Sequence, residues 1–121
     1  MSAAVWIGVA VLGAVGALAR LLLEDLVSSK LPFAWPVGTL TVNISGTFVL
    51  GLVTGLALTG NALVLGGSAT IGSYTTFSTW ILETHSLAED ARRRAAIANV
   101  LVSLTIGLAA AALGRSLGRV L

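Results

Sequence analysis

Cysteine is absent from this chain, which excludes disulfides and thiolate metal centres and leaves the redox compartment unread. A lone histidine, His85, is too little for a zinc site, which needs three or four protein ligands. Charge is scarce as well. Only 10% of the 121 residues are charged, whereas a soluble domain carries roughly 25%. The basic residues are Arg20, Lys30, Arg92, Arg93, Arg94, Arg115 and Arg119; the acids are Glu24, Asp25, Glu83, Glu89 and Asp90. All of them lie between or at the ends of apolar runs. With a net charge of +2 and scattered basic residues, a nucleic-acid partner is not expected. One loop histidine and a few edge carboxylates form no catalytic set, so an enzyme is not expected either.

Apolar length fills the space that charge leaves: 56% of the chain is hydrophobic. A membrane-spanning helix needs about 20 apolar residues. Residues 3–23 supply one span, with Arg20 as its only charge, and 37–58, 62–82 and 95–114 supply three more with none. Exposed backbone polar groups cannot face lipid, and each run is too long for a barrel strand, so all four are helices. The expected class is therefore all-α and integral to the membrane, one domain of four spans. Ala17-Leu18-Ala19 before Arg20 has the small-residue pattern of a signal-peptide cleavage site. No Lys or Arg precedes that run, however, and it is long for a signal, so a retained helix is expected.

The connections fit four spans. Residues 24–36 hold Pro32, Pro36 and charges and read as a surface loop; Thr59-Gly60-Asn61 reads as a tight turn; 83–94 is polar and charged. Basic residues give little orientation bias. Arg115 and Arg119 share the side of the termini, with Lys30, Arg92, Arg93 and Arg94 opposite. Such a chain can insert both ways up, which permits an antiparallel dimer.

Polar residues inside the spans require an explanation, because burying an unpaired polar group costs several kcal/mol by transfer estimates. In the second span Thr39 and Asn43 are four apart and share a face, and Gly51 and Gly55 form a GxxxG pair that favours close helix packing. Asn43 serves equally as interhelical glue or as a donor to an ion. The third span is unusual. Ser73, Tyr74, Thr75, Thr76, Ser78 and Thr79 place six hydroxyls in seven positions, and Gly72 precedes them. Glycine and β-branched residues weaken helix. A break near 72–75 frees backbone carbonyls inside the membrane, which only protein or an ion can satisfy. Phe77 and Trp80 lie on nearly one face; core filling is their usual fate, and their positive ring edges also suit an anion. In the fourth span Asn99, Ser103 and Gly107 share a face and either extend a polar track or pack helices. Arg20 reads equally as an interfacial anchor or as a vestibule cation, and Glu83 is placed to pair with it if the helix ends meet.

These residues resemble the Fluc/CrcB family of small fluoride channels. The resemblance runs through 13–20 (GAVGALAR), 38–46 (GTLTVNISG), 75–79 (TTFST) with Glu83, and 103–108 (SLTIGL). It implies an antiparallel, dual-topology dimer in the inner membrane of the cell, as a homodimer or as a heterodimer with a paired homologue. Two pores then run along the dimer interface. A central sodium ion is implied, held by the backbone carbonyls of Gly72 and Thr75, which a twofold axis doubles to four. By the same resemblance Asn43 donates its amide to dehydrating fluoride and Phe77 presents its ring edge. Ser103, with Ser78 and Thr79, lines a hydroxyl track. Arg20 sits in the vestibule near a polar cluster of Thr39, Asn43 and Glu83. Trp80 stands where the family usually has a second Phe, and Asn99 where it often has Tyr.

The implied activity is passive export of fluoride. A proton-coupled multidrug exporter of similar size is the alternative, but it needs a titratable carboxylate deep in the membrane. Here Glu24, Asp25 and Glu83 all lie at span edges. A structural hole-former has no use for the polar density of 72–79.

Overall fold

The computed structural model describes residues 1–31 and 35–121, and these hold five helices and no strand. Helix α1 is Ala3–Lys30, α2 is Val37–Gly55, α3 covers residues 60–74, α4 is Ser78–Glu89 and α5 is Arg93–Val120. Helix α3 begins with one α-turn at Gly60–Ala62, widens to π over Leu63–Ile71 and returns to α at Gly72–Tyr74. Together α3 and α4 are the two halves of the third span. Helices α1, α2 and α5 are each long and apolar enough to cross a membrane alone. Large apolar side chains such as Ile7, Leu22, Leu82 and Leu108 point outward, as lipid contact requires. The chain is thus a multi-pass membrane protein.

Two helices outrun their spans. At 28 residues α1 and α5 are each about 42 Å long, against roughly 30 Å of hydrocarbon. The segment expected as a loop from Glu24 is helical as far as Lys30, because polarity ends a span without ending a helix and nothing in 24–30 breaks one. Pro32, assigned to that loop, lies outside the described residues. Likewise α5 starts two residues before the expected span and carries Arg115 and Arg119 on its last turns. The polar stretch 83–94 is mostly helix, and only Asp90–Arg92 link α4 to α5.

The turn after α2 comes three residues earlier than expected. Its centre is Ala57, with φ +58. The Ala57 N–H donates to the Thr54 carbonyl at 3.1 Å and the Leu58 N–H to Val53 at 3.4 Å, the paired bonds of a Schellman cap. Ala91, also at φ +58, ends α4 in the same conformation, with the Arg92 N–H on the Leu87 carbonyl at 2.9 Å. These two left-handed positions hold alanine where glycine is unstrained; a third, Gly60 of the expected turn at φ +56, holds glycine. Ala57→Gly and Ala91→Gly are each expected to stabilise the protein by about 0.5–1 kcal/mol, the relief of left-handed strain less the extra unfolded-chain entropy. A rise in Tm in detergent checks this; a fall would show that the Cβ makes a contact worth more than the strain.

Helix α2 runs through the middle. It packs most extensively on α5, while α1 covers α3 and α2, and α4 leans on α5. The two halves of the third span therefore rest on different neighbours, α3 on α1 and α4 on α5, and the break lies where support changes hands. Glycines set the close approaches. A Cβ on Gly16 would stand 2.4 Å from the Thr70 carbonyl oxygen, so α1 and α3 touch backbone to backbone there.

Candidate ion pathway

The break is built from the hydroxyl-rich run. Tyr74 ends α3, Thr75 turns extended (φ −80, ψ 159), Phe77 is again helical and α4 starts at Ser78. Gly72 still belongs to α3, so the break falls at the threonines and not at the glycine. Thr75 folds back on its own helix: its N–H and its hydroxyl both reach the Ile71 carbonyl at 3.0 Å. In an unbroken helix the Thr76 N–H would bond Gly72. Here it donates to Asn43 Oδ1 at 2.8 Å, while Asn43 Nδ2 donates to the Thr76 carbonyl at 2.8 Å. One side-chain amide from α2 thus replaces the two bonds that Thr76 loses at the break. The Thr76 hydroxyl accepts the Thr79 N–H at 3.2 Å and caps α4. Among the described residues no N–H or O–H group is given to the carbonyls of Gly72, Ser73, Tyr74 or Thr75.

Beside the break lies a cavity of 280 Å³. Asn43, Thr47, Phe77, Trp80 and Ser103 line it, with Gly46, Leu50, Thr75, Thr76 and Leu104; none is acidic or basic. Asn43 has a second N–H left after bonding Thr76, since its amide carries two. The Ser103 hydroxyl is buried without a partner. Phe77 and Trp80 meet edge to face, with ring centres 5.6 Å apart and planes at 68°. Phe77 is 71% exposed.

A second polar group sits one turn away along α2. The Thr39 hydroxyl, buried, donates to the Glu83 carboxylate. On α1, Arg20 Nε and Glu24 Oε1 are buried without partners among the described residues. Among the described residues no ion pair joins Arg20 to Glu83, and the one His85–Glu89 pair is exposed on α4.

Of the residues singled out from sequence, Asn43, Thr75, Phe77, Trp80 and Ser103 meet at the cavity. Ser78 and Thr79 open α4 outside its lining, Gly72 lies in the last turn of α3 nearby, and Arg20, Thr39 and Glu83 lie toward the bundle end. Asn99 is 1% exposed and turned to α4, so it lines no track beside Ser103. Thr47 and Thr76 were missed. Thr47 continues the Thr39–Asn43 stripe by one turn, and Thr76 precedes Thr79 by the three-residue spacing of a cap.

Fold and cavity together define a small multi-pass membrane protein with a broken helix over a charge-free cavity into which a few polar groups point. It belongs to the CrcB family: residues 7–115 match the family described as CrcB-like protein, Camphor Resistance (CrcB). Fluoride-specific ion channel FluC 2 of Mycobacterium tuberculosis is 46% identical over 120 residues, covering 99% of this chain and 95% of that protein. Fluoride-specific ion channel FluC 1 of Leifsonia xyli subsp. xyli is 42% identical, covering 98% and 89%. FluC 2 of Moorella thermoacetica is 40% identical, covering 90% and 92%.

Proposed function

We propose that this chain forms a fluoride-selective channel, not an enzyme, through which the anion leaves the cell passively across the plasma membrane. The observation that carries this is the cavity: donors and ring edges without a fixed charge. Fluoride is small and strongly hydrated, so a pore must replace its water with donors and yet release it. The spare Asn43 N–H and the unpartnered Ser103 hydroxyl are such donors, and Phe77 and Trp80 offer positive rims. A proton-coupled exporter needs a carboxylate in this space, and none lines it. Ser78 and Thr79 extend the hydroxyl track, and Arg20, Thr39 and Glu83 form the vestibule. The relatives' names agree with this reading.

The working unit is an antiparallel dimer, with a second copy or a paired homologue as partner. The exposed Phe77 ring and the uncapped carbonyls of 72–75 are what a partner has to cover. Those carbonyls also fit a structural sodium ion. Among the described residues the Gly72 and Thr75 oxygens receive no N–H, and a twofold axis doubles them to four hard ligands for a hard cation. Bound there, the ion would neutralise carbonyl dipoles that the break leaves in the membrane.

Purified protein in fluoride-loaded liposomes with a potassium ionophore is the test. A fluoride electrode is expected to register rapid release, while chloride-loaded vesicles retain their anion. Equal release of both would overturn the selectivity.

A further inference from the structure

Trp80, Thr84 and Asn99 close a ring of hydrogen bonds between α4 and α5. The Asn99 amide donates to the Thr84 hydroxyl at 2.8 Å, and that hydroxyl donates to the Trp80 carbonyl at 2.8 Å. The Trp80 indole N–H completes the ring on the Asn99 main-chain carbonyl at 3.4 Å. Each donor meets one acceptor, and Asn99 is all but fully buried. The Asn99–Thr84 bond thereby pins α5 to α4 at the level where the indole reaches across to the Asn99 main chain. The indole held in this way is the one that meets Phe77 edge to face at the cavity. Phe77 itself is exposed, and its ring contact is this indole.

We propose that Thr84 and Asn99 are positioning residues which, through the indole N–H, lock Trp80 and hence Phe77 at the cavity edge and set the width of the anion's passage. Neither residue touches the cavity. This rests on the channel reading above and adds to it that Trp80 belongs to the conducting geometry as a braced wall, not a plug. The indole N–H is essential to the brace, because a phenyl ring in its place has nothing to give Asn99.

A double-mutant cycle tests it in the fluoride efflux assay. Thr84→Val keeps the shape of the side chain and removes the hydroxyl at the centre of the ring. With Trp80 present it is expected to lower fluoride efflux about tenfold, whereas in a Trp80→Phe background its effect falls below about twofold, the coupling expected of residues in one network. Thr84→Ser restores the hydroxyl and keeps efflux within about twofold of the parent, as side chains that share one bond behave. Equal losses in both backgrounds, or no loss in either, overturn the proposal while leaving the parent's selectivity standing; a parent that does not conduct fluoride overturns the channel reading first. Should Trp80→Phe itself be silent, indole-¹⁵N NMR of the Trp80-containing protein decides. The Trp80 N–H is expected to exchange slowly in the parent and quickly in Thr84→Val, and identical exchange would refute the brace.

Discussion

Replacing Asn43 with aspartate is expected to abolish fluoride conduction, with efflux falling about 100-fold or more, since a misplaced like charge costs several kcal/mol and each 1.4 kcal/mol is tenfold. The two side chains have the same shape, so the effect isolates chemistry. One carboxylate oxygen still accepts the Thr76 N–H. The other takes the place of Nδ2, which now stands 2.8 Å from the Thr76 carbonyl oxygen. Two oxygens at that distance repel unless a proton lies between them. The bond across the break is lost, and a negative charge enters a cavity that has none. Asn43→Ala is milder in charge but leaves a buried N–H and C=O of Thr76 unpartnered, for a loss of about 2–4 kcal/mol of stability. Efflux from liposomes, with a size-exclusion profile to show that the aspartate variant is folded, measures the effect. Normal efflux in Asn43→Asp would mean that this amide neither bridges the break nor faces the ion.

The same residue shows how far the sequence can be read. Asn43 stood out because an amide in a charge-free span demands a partner, and the six hydroxyls of 73–79 announced a broken helix. The sequence did not say that these two features are one device, because the partner of Asn43 is a backbone, and backbones leave no mark in sequence. The break was legible, and it falls at the far end of the expected 72–75. Glycine permits a break, whereas the site of this one is decided by where the Thr76 N–H finds Asn43 and where the Thr76 hydroxyl caps α4. Helix ends were read short at 24–30 and 115–120 for another reason: hydropathy marks the membrane, not the helix. The π-helical course of Leu63–Ile71 had no sequence signal beyond Gly66-Gly67. Asn99 looked like a track residue because it shares a face with Ser103, yet it is drawn aside by Thr84, a contact that no spacing within α5 reveals.

Glycine on α2 and α5 carries the second large effect. Gly51 and Gly55 were visible as a GxxxG pair; Gly114 and Gly118 of α5, at the same spacing, pack against the same stretch of α2. A Cβ on Gly51 would stand 2.3 Å from the Ala111 carbonyl oxygen, and one on Gly55 would stand 2.2 Å from that of Arg115. On the facing helix a Cβ on Gly114 would stand 2.1 Å from the Phe48 oxygen, and one on Gly118 would stand 2.4 Å from that of Leu52. The obstacle in each case is backbone, which cannot swing away as a side chain can. The helices must separate, and in lipid nothing apolar drives them back, because packing itself supplies the attraction. Gly114→Ala is expected to cost about 2–4 kcal/mol, the upper range for overpacking a tight contact, and Gly114→Val to leave no monodisperse protein. Gly66→Ala is the control: nothing lies within 4 Å of its added methyl, so its effect stays within about 1 kcal/mol and tends to stabilise. Thermal unfolding in detergent and size-exclusion recovery separate the two. If Gly114→Ala and Gly66→Ala lose equally little, α2 and α5 do not meet backbone to backbone, and the cavity that their contact holds open against α4 has another foundation.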